Sequence, residues 1–196
     1  MRSAGIATVM VGLVFGLAAC GDDEESTSAS EATTEAESTM LSLTGEETTL
    51  ALDSATAKVL EDNKVEVAPV EPATAGDEGI SFPITGGEVD SADLAGTIEH
   101  SGGLTFSAGG TDVEVTDFVV DTVAGTLTAQ AGDAELPLLD LDASGLEQST
   151  EGDVIVATGV VGTLTKEAAD ALNEAFGVNV FEQGIPIGDI TVRATG

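Results

Sequence analysis

Few side chains in this chain can do chemistry. His100 is the one imidazole and Cys20 the one thiol in 196 residues, and there is no Trp or Tyr. A Ser-His-Asp hydrolase would have to use His100 as its base. Its neighbour Ser101 cannot serve it, because adjacent strand residues point to opposite faces, and no serine sits in a glycine-flanked nucleophile elbow. A zinc site needs several nitrogen or sulfur ligands and cannot be assembled here. Carboxylates are abundant: 36 Asp and Glu stand against 5 Lys and Arg, a formal charge of −31. A two-carboxylate glycosidase would still lack an aromatic sugar platform. Asp140 with Asp142, and Asp112 with Glu114 and Asp117, are the acid clusters to weigh as calcium ligands. Neither has EF-hand spacing, and both read as solvated strand faces. The expectation is therefore no enzyme and no metal site. The same charge excludes a nucleic-acid binder, which needs a basic groove with stacking aromatics. A single Cys excludes a disulfide framework.

Cys20 is explained by its position. Arg2 opens a short positive region, and residues 4–19 are small or apolar and uncharged. Such a stretch is short for a membrane span and right for a signal-peptide core. It ends Leu17-Ala18-Ala19-Cys20-Gly21, which resembles a bacterial lipobox, where the chain is cut before a diacylated cysteine. Residues 1–19 are thus expected to be a lipoprotein signal peptide. Cys20 is expected to be the lipidation site, placing the protein on the extracytoplasmic face of the cell membrane. Two acyl chains, palmitate or similar, anchor stably where one does not. Residues 20–49, rich in Asp, Glu, Ser and Thr, read as an acidic extended tether.

From residue 50 to 196 the texture changes to strand-like alternation. This segment has 27 acids and 4 bases, a charge of −23. Val65 and Val67, then Ile80, Phe82 and Ile84, then Leu94, Gly96, Ile98 and His100 each share a face at a period of two. Leu104 and Phe106 follow Ser101-Gly102-Gly103, read as a hairpin-like turn. Val113 and Val115, Phe118 to Val120, residues 125–131, 136–142 and 153–161, and Ile190 with Val192 continue the pattern. The expected fold is mainly β: a β-sandwich or open barrel of about 8–11 short strands with one or two short helices packed against it. The clearer helix is Thr165 to Phe176. Thr165 is its N-cap, Gly177 its C-terminal glycine, and Ala169, Leu172 and Phe176 its apolar stripe. Asp53 to Asp62 is the shorter candidate. On local grounds His100, at a strand end beside a glycine turn, is a turn or surface residue.

The run Gly96-Thr97-Ile98-Glu99-His100-Ser101-Gly102-Gly103-Leu104-Thr105-Phe106 resembles the central motif of the HtaA domain family. Residues 113–117, Gly125 to Ala129, Leu138 to Leu141, and the late helix with Ala168, Ala171 and Phe176-Gly177 extend the resemblance over roughly residues 79–190. The resemblance implies a β-rich module of Gram-positive cell envelopes, several members of which bind haem and pass it toward an importer. It implies a haem iron held by a tyrosine and assisted by the histidine of the glycine-flanked motif. That histidine carries over to His100, the cofactor-binding candidate. The tyrosine has no counterpart, and Phe176 stands where the family often has an aromatic tyrosine near the end of the late helix.

Two readings follow. In one, residues 50–196 are an HtaA-like ligand-binding domain on a membrane-anchored envelope lipoprotein, with haem the implied cofactor. In the other, the domain is a non-catalytic structural or interaction module without haem, facing a cationic envelope partner. Burial of His100 in a pocket lined by Phe82, Phe106 or Phe118 would favour the first. Exposure on a solvated turn would favour the second.

Overall fold

The computed structural model describes residues 39–196. The expected leader over 1–19, Cys20 and the tether up to residue 38 lie outside the described residues. The chain runs β1 (Met40–Ser42), β2 (Gly45–Leu52), α1 (Ser54–Asp62), β3 (Glu66–Val70), β4 (Thr74–Gly76), β5 (Gly79–Asp90), β6 (Gly96–His100), β7 (Gly103–Ala108) and β8 (Thr111–Asp121). It continues β9 (Thr126–Ala131), β10 (Ala134–Asp142), β11 (Glu147–Glu151), β12 (Val154–Leu164), α2 (Lys166–Phe176) and β13 (Pro186–Thr195).

Eight strands close a ring in the order β2, β13, β12, β10, β9, β8, β6, β5 and back to β2. Every pairing in it is antiparallel. The mainly β expectation holds, and of its two architectures the barrel is the one formed. The barrel is closed rather than open, which leaves the ring no unpaired edge. The other strands lie outside it: β1 and β4 on β5, β7 on β8, β3 on β7, and β11 on β12. Because the ring closes within residues 39–196, the barrel is complete without the chain before Thr39.

Alternation builds the interior. Phe82, Ile84 and Val89 on β5, Ile98 and His100 on β6, and Val115, Phe118 and Val120 on β8 are buried, and no Asp or Glu joins them. Each fully buried large apolar side chain contributes about 1.5–3 kcal/mol. The acids face water, where their mutual repulsion is screened. Pro69 interrupts the apolar alternation begun by Val65 and Val67 without ending the strand. It sits inside β3, whose one partner is β7, and an edge strand tolerates a missing N–H.

Two boundaries differ from the sequence reading. The sheet begins at Met40 and not near Leu50, so the last part of the expected tether is β1 and β2, and β2 is a member of the ring. Ser101-Gly102-Gly103 is not a hairpin turn either. Strands β6 and β7 do not pair; both run along the same partner, Thr97–Glu99 against Val119–Asp121 and Gly103–Ala108 against Thr111–Thr116. They form one bent path with a kink after His100. The kink is matched by a bulge in β8, where Asp117 adopts φ 52° and its N–H donates to the Gly102 carbonyl at 3.1 Å.

The helices stand as expected. Asp53 caps α1 by accepting from Ala55 N and Thr56 N. Thr165 caps α2 through Ala168 N, and Gly177 ends it at φ 66°. The Thr165 hydroxyl also donates to the Pro137 carbonyl at 2.6 Å, fixing the start of α2 to β10.

Gly102 is the left-handed point of the kink. It has φ +83°, and a Cβ there would lie 2.6 Å from Ala73 N and 2.8 Å from the Val70 carbonyl. Gly102→Ala should therefore destabilise the domain by roughly 1–3 kcal/mol in chemical denaturation, combining left-handed strain with a backbone clash. An unchanged midpoint would show that the kink is not constrained as described.

Candidate functional site

The kink places His100 at a fork in the barrel. Up to His100, β6 bridges β5 and β8, with His100 paired to Ile84. Beyond it, β7 stays on β8 and takes β3 on its outer edge, while the first part of β5 takes β4. A chamber of about 290 Å³ occupies this end of the barrel. Its walls include Leu50, Phe82, Leu104, Phe106, Phe118 and Leu127, together with Leu60 of α1 and Leu172 of α2. That is roughly twenty times the volume a single water needs. Well-packed interiors contain few voids larger than one water.

His100 is buried, only 5% exposed, and lines this chamber together with Phe82, Phe106 and Phe118. The surface position suggested by its local context is overturned. The turn beside it is a strand kink, and β-alternation carries the ring inward. Phe82 and Phe118 meet edge to face with centroids 4.9 Å apart.

Both ring nitrogens are engaged. Nδ1 lies 3.1 Å from the Phe118 carbonyl, and Nε2 lies 2.7 Å from Thr48 Oγ1. A carbonyl only accepts, so Nδ1 carries the proton and donates it. Nε2 is then the lone-pair nitrogen and accepts from the Thr48 hydroxyl. Burial pushes the His100 pKa down to about 4, against the smaller opposing effect of the Phe118 hydrogen bond. At neutral pH the ring is uncharged with its tautomer fixed.

Thr48 was missed because it falls in the segment read as tether. The signal was there: Thr48, Leu50 and Leu52 alternate, and all three line the chamber. Phe176, which the resemblance set in place of a tyrosine, packs against the core but is not among the chamber residues. The hydroxyl beside the histidine is Thr48's, from β2.

A hydroxyl on Nε2 with Nδ1–H held by a carbonyl has the atoms of a nucleophile–base pair. An imidazole held near pKa 4 is a weaker base toward a threonine proton than an ordinary histidine. The acid clusters stay apart: among the described residues no three His, Cys, Asp or Glu side chains gather closely enough to hold a metal ion. Asp142 instead closes a turn, accepting from Ser144 N at 2.9 Å, and its hydrogen bonds to Ser144 hold its carboxyl below the usual range.

The cations lie elsewhere. Lys58 pairs with Asp62, Lys166 with Asp170, and Arg193 with Glu46 and Glu151. No Lys or Arg lines the chamber.

A closed antiparallel barrel with a ligand-sized apolar chamber and one buried histidine belongs to the class of small β-barrels that enclose a cavity. No family model matches the chain, and no curated protein matches it in sequence. Solved structures do match. The C-terminal domain of HtaA from Corynebacterium glutamicum aligns with a TM-score of 0.59 at 14% identity, over 79% of this chain and 98% of that one. The N-terminal domain of HtaA from the same organism gives 0.52 at 14% identity, over 78% and 97%. The barrel thus shares the fold of the HtaA domains.

The buried ring makes stability depend on pH. The unfolded chain takes up a proton near 6.5 and the folded chain only near 4. Between those values the unfolded state binds more protons, so this contribution is whole above 6.5 and is lost as pH falls toward 4. From pH 7.5 to 5 the wild type should lose about 2 kcal/mol more than His100→Gln in thermal unfolding. Equal losses would mean that His100 is solvated.

Proposed function

We propose that this chain is a non-catalytic ligand-binding lipoprotein of the cell envelope, held at the membrane through Cys20, with its binding site in the His100 chamber. The observation that carries this reading is the neutral, tautomer-fixed histidine inside an apolar chamber far larger than packing requires. The structural kinship with HtaA domains supports an envelope setting. The module reading without a ligand leaves the chamber unexplained.

Haem is the ligand the family resemblance implies, and the chamber residues can be tested against it. In favour, Nε2 is a lone-pair nitrogen whose ring is oriented by a backbone carbonyl, the arrangement of a metal-ligating histidine. Against, Nε2 is already occupied by Thr48, and a threonine hydroxyl is not among the usual axial ligands of haem iron. No cation lines the chamber to meet the two propionates. The residues present do not fit haem held in the family's manner.

Two measurements test the reading. Labelled palmitate should enter the protein in a bacterial host and be lost in Cys20→Ser, with the protein then leaving the membrane fraction; label that persists would remove the anchor. Haem titrated into residues 39–196 should give no saturable Soret band at one equivalent. A stoichiometric band abolished by His100→Ala would show that His100 takes the iron and reverse the fit drawn above.

A further inference from the structure

We propose that the His100 chamber takes an uncharged apolar alcohol, such as a neutral lipid alcohol, and rejects carboxylated molecules of the same shape. This rests on the ligand-binding reading above and adds the chemical class of ligand.

The first observation is the polarity of the walls. Of the side chains lining the chamber, only Thr48, Thr56 and His100 carry a polar atom. The Thr56 hydroxyl donates to the Pro186 carbonyl at 2.6 Å, so it too has only lone pairs left to offer. Thr48 and His100 hold each other. An apolar body therefore meets apolar walls over nearly all its surface, and burying it there is favourable.

The second is the absence of any countercharge. No lysine or arginine lines the chamber, and three of the four cations in the domain are paired with carboxylates on its outer surface. His100 stays neutral far below physiological pH. A carboxylate entering would lose its water and find no cation, which is the costly case. Asp77 and Glu78 sharpen the exclusion. They are exposed in the turn joining β4 to β5, directly between the chamber residues Gly76 and Gly79. Two like charges beside these wall residues raise the cost of bringing an anion to them.

The third is the direction of the hydrogen bond offered beside His100. The proton of the Thr48 hydroxyl is committed to Nε2, because the Nδ1 proton is committed to the Phe118 carbonyl. What Thr48 Oγ1 presents to a ligand is lone pairs only. Its complement is a donor, which an alcohol supplies and a carboxylate or an ester does not. The His100–Phe118 hydrogen bond thus selects the ligand's polar group from two bonds away.

The experiment uses residues 39–196 at pH 7.5. With no Trp or Tyr in the chain, an added dye reads against a dark background. Nile red, an uncharged apolar dye, should brighten and saturate at one per chain. 1-Decanol should displace it at a concentration at least tenfold below that needed by decanoate. Thr48→Val should lower the affinity for decanol several-fold while leaving Nile red bound, and Thr48→Ser, which keeps the hydroxyl, should restore it. Dye binding retained in Thr48→Val serves as the folding control. If decanoate displaces the dye as well as decanol does, the exclusion of charge is wrong while the ligand-binding reading stands. If decanol wins but Thr48→Val does not weaken it, the assigned hydrogen bond is wrong and so is the alcohol specificity. If neither the dye nor decanol binds, both this inference and the ligand-binding reading fall.

Discussion

The barrel depends on what happens at the end of its shortest ring strand. Strand β6 alone joins β5 to β8, and without it the sheet would be an open curl with two long apolar edges. It closes the ring for five residues and then bends away at Ser101 and Gly102. The bend needs a left-handed glycine pressed against the β3–β4 turn and a matching bulge at Asp117. Closure and opening therefore occur within a few residues of each other. The histidine at that point is held from both sides: Phe118 belongs to β8, which pairs with β6, and Thr48 to β2, on the far side of β5. The same two hydrogen bonds hold the ring still, keep it neutral and set which atoms the chamber offers a guest.

The charge of the protein and the neutrality of its interior are two sides of one arrangement. Every described acid lies outside the buried set, and the buried polar side chains are three threonines and His100. Three of the four cations are drawn to carboxylates, on helix faces and beside β2 and β11. The fourth, Lys64, is exposed just after α1. An acidic exterior then repels anions over a distance of about a Debye length, while the chamber excludes them by desolvation at contact.

Much of this was readable in the residues. Most of the strands follow from alternation, and both helices and the caps of α2 were read, the latter from Thr165, Gly177 and the apolar stripe. Even the bulge left a trace, since the apolar positions change parity from Val113 and Val115 to Phe118 and Val120. Ring closure was not readable. It depends on β6 reaching two partners far apart in sequence, which no local pattern records. The hidden part of the site had a different cause. Gly45 to Leu52 shares the Glu and Thr of the preceding segment, so composition masked a ring strand and with it Thr48. His100 was misjudged locally because glycines beside a histidine read as a turn, when here they let a strand bend without leaving its neighbour.

The account stands or falls on the state of one imidazole, and a chain with a single histidine lets it be observed directly. Nitrogen-15 NMR of the His100 ring in residues 39–196, followed from pH 8 downward, reports both the tautomer and the titration. The structure predicts one neutral form with the proton on Nδ1 and an unprotonated Nε2, unchanged through neutral pH and taking up a proton only near 4. A ring that titrates near 6.5 with both tautomers in exchange would place His100 in water, and the chamber, the threonine bond and the ligand chemistry drawn from them would all be contradicted.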